Sequence, residues 1–204
     1  MKLRGNVLLV ILMLFFALSA HAADSTPVQL SLVNPVQLFP EDTTVNGLRI
    51  NLLYGVNKEV NGVDIGPINR TTGTTRGVQL GAFPYGGINV TGNLRGVQFG
   101  GFFGGVNIAT GDVTGVQLAG ILGGINAAGN LHGAQISGAF IGINLAKDVK
   151  GLQLTTMYNQ ADAMEGLQLG LVNVCKRMKG VQIGLVNVIK ENSVPFIPIV
   201  NASF

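Results

Sequence analysis

From Gly47 onward the chain repeats one short phrase, Gly-Φ-Gln-Φ, where Φ is an aliphatic residue or Phe. A unit this short cannot bury a face alone, so it must stack on or pair with its own copies. The clear copies are Gly77-Val-Gln-Leu80, Gly96-Val-Gln-Phe99, Gly115-Val-Gln-Leu118, Gly133-Ala-Gln-Ile136, Gly151-Leu-Gln-Leu154, Gly166-Leu-Gln-Leu169 and Gly180-Val-Gln-Ile183. Two degenerate copies, Gly47-Leu-Arg-Ile50 and Gly62-Val-Asp-Ile65, precede them, and the starting glycines are 15, 15, 19, 19, 18, 18, 15 and 14 residues apart.

An Asn marks the second half of each unit. It follows the Gln position by five residues in Asp64–Asn69, Gln168–Asn173 and Gln182–Asn187, and by nine in Gln98–Asn107, Gln117–Asn126 and Gln135–Asn144. The longer units carry an apolar insert of four residues. Val28 to Asn34 has the five-residue spacing too, so the repeat is expected to begin near there. Charged residues fall almost wholly in the junctions between copies. Each junction keeps one apolar residue two before the next Gly: Val60, Leu94, Val113, Leu131, Val149, Met164 and Met178.

Alternation at Val181 and Ile183 has the two-residue period of a strand, the aliphatic content suits strands, and the recurrent Gly is expected at corners. The chain is therefore read as all-β. The favoured architecture is a β-solenoid of about nine short coils, each burying its apolar side against its neighbours. Gln and Asn recur in register, so their amides are placed to form ladders between coils. An outer-membrane up-and-down β-barrel is the alternative, because the uncharged stretch Gly96 to Gly111 is long enough to cross an outer membrane. Against the barrel stand the lack of Trp, the presence of only three Tyr, and the odd Gln182–Asn187 spacing, which would put the two amides on opposite faces of one flat strand.

The N-terminus reads as an export leader. Lys2 and Arg4 precede an apolar run from Val7 to Leu18, and Ala20-His-Ala22 offers an A-x-A cleavage site. The expected organisation is a signal peptide over 1–22, an N-terminal cap or degenerate repeat over 23–46, the repeat domain over 47–192 and a C-terminal cap strand over 193–204. Pro35, Pro40, Pro195 and Pro198 would block further strand pairing at the two ends. Without the leader, eleven basic residues face ten acidic ones, a net charge of +1, which disfavours nucleic acid as a partner. Only 11% of residues are charged and 47% are hydrophobic, which excludes a disordered chain. One Cys excludes a disulfide framework.

No catalytic, metal-binding or cofactor-binding constellation is legible. His132 is alone at a junction and reads as a solvated turn residue. Cys175, whose sister position is Ile189, reads as a small apolar substitution. The one candidate interaction site is a stripe of apolar inserts in four adjacent units: Phe83 and Tyr85, Phe102 and Phe103, Ile121 and Leu122, Phe140 and Ile141. Two readings stand. The inserts fill a wider section of core, or they form an exposed ridge for a protein, a glycan or a membrane surface, with outer-membrane association as one outcome.

The unit Gly180-Val-Gln-Ile-Gly-Leu-Val-Asn-Val188 resembles the bacterial surface-repeat family first named for a Leptospira protein. So do Pro35-Val-Gln-Leu-Phe-Pro-Glu-Asp42 and the ending Pro195 to Phe204. The resemblance covers roughly residues 27 to 204 and implies an exported or surface-associated protein. Units in that family are close to uniform in length, so the inserts between Gly77 and Asn144 depart from its pattern. Together these readings give an exported, non-enzymatic repeat protein with a structural or binding role, and a pore or anchor if it is a barrel.

Overall fold

The computed structural model of the chain describes residues 24–204. The expected leader lies outside the described residues. Those residues are all-β and wind into a solenoid whose coils pair in parallel, each with the next. The barrel alternative does not hold, because the repeat strands pair in parallel with the equivalent strands of the next coil, whereas an up-and-down barrel pairs chain neighbours antiparallel.

Every copy of the phrase stacks on the next in strict register. Gly47, Gly62, Gly77, Gly96, Gly115, Gly133, Gly151, Gly166 and Gly180 form one continuous column. At ~4.8 Å per coil the nine coils make a rod on the order of 40 Å long. Each coil contributes one strand segment to a Gln sheet, such as Asp112–Leu118, and one to an Asn sheet, such as Val106–Ala109. In five places a single strand runs through both sheets, as in Thr44–Asn57, Ile68–Leu80, Ile88–Phe99, Tyr158–Leu169 and Val172–Gly184. In the last four of these the strand passes unbroken through the junction, which is there a bend in a strand and not a loop. The repeat Gly lies mid-strand instead of at the expected corner. At Gly115 φ is +139°, and a Cβ would come within 2.0 Å of the Gly96 carbonyl oxygen in the coil beneath. The contact recurs from coil to coil, which is why this residue type repeats.

The interior inverts the expected polarity. Gln79, Gln98, Gln117, Gln135, Gln153, Gln168 and Gln182 are fully buried, and so is the Asn column from Asn69 to Asn187. The aliphatic residues flanking each Gln point outward and are half-exposed. Alternation correctly grouped Val181 with Ile183, but they share the outer face. What apolar core there is comes from two inward columns. One is the set of junction residues from Val60 to Met178, the apolar position kept at each junction. The other runs through Ala109, Ala161, Cys175 and Ile189.

The buried amides are paired in two ladders of opposite sense. Each Gln Nε2 donates toward the N-terminal end, from Gln98 to Gln79 Oε1 at 2.7 Å, Gln117 to Gln98 at 2.8 Å, and on to Gln182, which donates to Gln168 at 2.7 Å. Each Asn Nδ2 donates toward the C-terminal end, from Asn69 to Asn89 Oδ1 at 2.8 Å through Asn173 to Asn187 at 2.8 Å. The second N–H of each amide stitches the sheets together. Gln117 reaches the Ala127 carbonyl at 3.1 Å, and Asn107 reaches the Leu118 carbonyl at 2.8 Å. An unpaired buried amide costs several kcal/mol, whereas a chain of paired ones polarises cooperatively, so the ladders make a polar interior tenable. The corner between the two amides turns the chain, so both members of the odd-spaced Gln–Asn pair point inward.

Both ends are closed. Ser25–Val33 starts as a coil, with Gln29 over Arg49, and Val36–Gln37 then folds back antiparallel over it. Gln29 exchanges hydrogen bonds with the Phe39 backbone, 2.8 Å from Nε2 to O and 3.0 Å from N to Oε1. Asn34 stays outside the Asn ladder and donates to Glu41. At the other end Ile199–Ser203 lies antiparallel on the Gln sheet, and the segment around Phe196 covers the Asn sheet. Ile189 N–H donates to the Pro195 carbonyl at 2.8 Å. An antiparallel cover strand breaks the parallel register that a further coil would need.

Candidate functional site

The two edges of the coil have opposite chemistry. The junction edge carries the charge. One outward column there reads Arg76, Arg95, Thr114, His132, Lys150, Glu165, Lys179, and the next reads Asp112, Asn130, Asp148, Ala163, Arg177. Arg76–Glu59 at 2.9 Å, Lys176–Asp162 at 3.0 Å and Lys150–Glu165 at 3.5 Å join successive coils. Such exposed pairs contribute about 0–1 kcal/mol each. A shallow groove of about 650 Å³ runs over this edge past Asp112, His132, Asp148 and Lys150. His132 is exposed on the strand Asn130–Ser137 and not in a turn. Its neighbours carry both signs, so the groove presents no net field to a charged ligand.

The opposite edge is the corner between the Gln and Asn strands. The predicted stripe lies here and faces solvent, not a widened core. Phe83 is 71% exposed, Tyr85 77%, Phe140 70% and Ile141 66%, while Phe102, Phe103, Ile121 and Leu122 lie between 37% and 49%. Small residues, Ala119 and Ser137, take the inward corner positions, so no widened core forms. The four inserts align as anticipated. Phe102 N–H donates to the Pro84 carbonyl at 2.9 Å, Ile121 N–H to the Phe102 carbonyl at 2.9 Å, and Phe140 N–H to the Leu122 carbonyl at 3.1 Å. Ring contacts reinforce the alignment, with Phe102 edge-on to Phe103 at 5.4 Å and Tyr85 6.3 Å from Phe103.

The ridge extends beyond the stripe read from the sequence. Leu52 and Leu53 continue it toward the N-terminus, and Met157, Leu171 and Leu185 continue it through the short coils. The signal was present, since Leu171 and Leu185 each follow a corner Gly, but without an insert they were not distinguished from the repeat. At the C-terminal end an apolar groove of about 430 Å³ opens between Leu169, Leu171, Ile183, Leu185 and Ile199.

A second site missed in the sequence is internal. The degenerate copies place Arg49 and Asp64 at adjacent positions of the Gln column, both fully buried. Asp64 Oδ1 accepts from Arg49 Nε at 2.7 Å and from Asn51 Nδ2 at 3.0 Å. Asp64 Oδ2 accepts from Arg49 Nη2 at 2.5 Å and from Gln79 Nε2 at 2.9 Å. The carboxylate thus terminates the Gln ladder at its donor end. Asn51 starts the Asn ladder by donating to Asn69 Oδ1 at 2.6 Å. Gly55 sits at the Asn position of this coil, and a Cβ there would come within 1.7 Å of Asn51 Oδ1. The corner and the ladder have exchanged residue types.

Cys175 is buried in register with Ile189, as its sister position implied, and burial pushes its thiol up from 9.0 to about 12. That suppresses the thiolate a nucleophile needs. No protein family, characterised protein or solved structure matches the chain.

Proposed function

We propose that the protein is an exported, non-enzymatic element of the bacterial envelope, periplasmic or on the cell surface, which works through the outside of its coil as a structural and binding element. The observation that carries this reading is the inverted section. The amides are spent on one another inside, the aliphatic residues of both sheets face out, and one edge is an unbroken apolar ridge. Large contiguous apolar surface marks an interaction site. The Gln and Asn amides of the repeats are committed to ladders, and the one thiol is buried and protonated, which favours binding as the role the surface chemistry serves. The leader-like N-terminus and the resemblance to surface-repeat proteins favour export.

Fractionation of cells producing the chain, with sequencing of the mature N-terminus, tests the reading. The expected result is an envelope-bound chain beginning at Ala23. An unprocessed chain in the cytoplasm would contradict it. Extraction adds a second readout: detergent dependence without heat-modifiable mobility on a gel fits a solenoid held by apolar contact.

A further inference from the structure

We infer that the corner edge seats in one leaflet of a lipid bilayer, with the rod lying along the membrane and the charged edge in water. This rests on the envelope reading above and names the partner of that surface.

Three observations select lipid over a folded partner. The first is charge placement. The corner segments 50–54, 65–68, 80–88, 99–106, 118–125, 136–143, 154–158, 169–172 and 183–186 contain no Asp, Glu, Lys or Arg, although the chain has twenty-three such residues. In the coils these lie mainly on the opposite edge, with Arg49 and Asp64 sealed inside. The second is shape. The apolar surface is a ridge flanked on both sides by outward aliphatic columns, so its occupant must cover three sides of a projecting edge. A fluid does so without a matching trough. The third is the backbone. Hydrocarbon tolerates main-chain polar groups only where they are paired. Corner N–H groups next to the strands are bonded coil to coil, among them Gly100 to Leu118 O at 2.8 Å, Ala119 to Ile136 O at 3.0 Å and Gly138 to Gly120 O at 2.9 Å.

The dimensions agree. From Gly115 to Ile121 the uncharged stretch spans on the order of 15–20 Å at ~3.3 Å per residue, about half of a ~30 Å hydrocarbon core. The edge therefore reaches into one leaflet and does not span the membrane. The groove beside Leu171, Leu185 and Ile199 gives acyl chains a recess at the C-terminal end.

The test uses the purified protein with phosphatidylcholine vesicles. Flotation should be as complete in high salt as in low salt, because apolar contact drives it. In a Cys175→Ala background, fluorophores at Phe103→Cys, Ile121→Cys and Phe140→Cys should become several-fold less accessible to aqueous iodide when vesicles are added. A fluorophore at Thr114→Cys should not change. The triple variant Phe103→Asp, Ile121→Asp, Phe140→Asp alters only surface residues and should lose flotation while keeping its β circular dichroism. Absence of flotation, or flotation abolished by salt, overturns the inference. So does shielding of the corner probes without vesicles: with a doubled mass it assigns the ridge to a second copy, and shielding only by a soluble envelope protein assigns it to that protein. Failure of flotation for a chain that is still exported overturns lipid seating alone. Cytoplasmic retention overturns the envelope reading and leaves the vesicle result standing.

Discussion

Arg49 and Asp64 occupy the same position in successive coils and form a fully buried, two-point ion pair at the head of the Gln ladder. The remaining guanidinium donors are also used, on the Arg70 carbonyl at 2.9 Å, Asn57 Oδ1 at 3.3 Å and Thr71 Oγ1 at 3.2 Å. The pair replaces two ladder amides with a charged couple whose every hydrogen bond is met.

Removing one partner should be far worse than removing both. Asp64→Leu or Arg49→Leu leaves an uncompensated buried charge and is expected to cost about 3–5 kcal/mol. The double variant Arg49→Gln, Asp64→Gln restores the amide column and should recover most of that loss. Urea unfolding of the three variants checks this, and additive losses in the double variant would count against the pairing.

Ladder continuity makes a mid-rod Gln sensitive to charge. Gln117→Glu places a carboxylate against Gln98 Oε1, which the native Nε2 contacts at 2.8 Å. At neutral pH it should destabilise more than Gln117→Leu, which leaves neighbours unpaired at a cost of about 1–3 kcal/mol. Burial and the facing oxygen raise the folded Glu pKa, so as pH falls from neutral toward about 4, the ordinary Glu value, the folded Glu holds a proton and can donate in place of the amide, and its deficit should shrink while that of Gln117→Leu stays constant. Melts across pH decide this.

Two glycines should separate sharply. Gly115→Ala meets the Gly96 carbonyl at 2.0 Å and a φ of +139°, and is expected to lose several kcal/mol or fail to fold. Gly104→Ala meets nothing closer than 3.7 Å, and is expected to change stability by less than about 1 kcal/mol. Equal effects at the two sites would contradict the mid-strand contact.

Cys175 sets a pH window. Its thiol stays neutral in the folded chain until about 12, while the unfolded thiol ionises from 9.0. Between those values only the unfolded state releases the proton, so stability falls as pH rises, by up to ~1.4 kcal/mol per unit. Below pH 8 the contribution is flat. Cys175→Ala should remove this slope between pH 8.5 and 10, and the native thiol should resist alkylation until the chain unfolds.

The number of coils and their register were readable from the sequence, because a stacked Gly column tolerates no substitution and so writes its spacing plainly. The junction aliphatics, Val113 and Leu131 among them, were legible as a recurring apolar position, which the structure buries. The direction of the faces was not readable. Alternation groups Val181 with Ile183 and sets both opposite Gln182, but it does not say which set faces inward. Hydropathy favours the aliphatics, and only ladder formation, a property of the stack and not of the unit, reverses that choice. The same blindness made Arg49 and Asp64 look like decay of the motif, since a fifteen-residue spacing becomes a contact only once the coils are stacked.

End closure is the next consequence. Deleting 193–204 uncovers the parallel edges of Val172–Gly184 and Val186–Ile189. The shortened protein should associate through those edges, seen as a rising mass in sedimentation. A shortened chain that stays monomeric would refute the cap role.

The inverted interior is tested most directly by hydrogen exchange of the Gln and Asn side-chain amides in a ¹⁵N-labelled sample. With the ladders inside, the NH₂ protons of Gln98, Gln117, Gln135, Gln153, Asn107, Asn126 and Asn144 should be protected as strongly as the surrounding strand amides. Exchange of those side-chain protons at the rate of free glutamine and asparagine, with the backbone still protected, would put the amides on the outside and contradict the account.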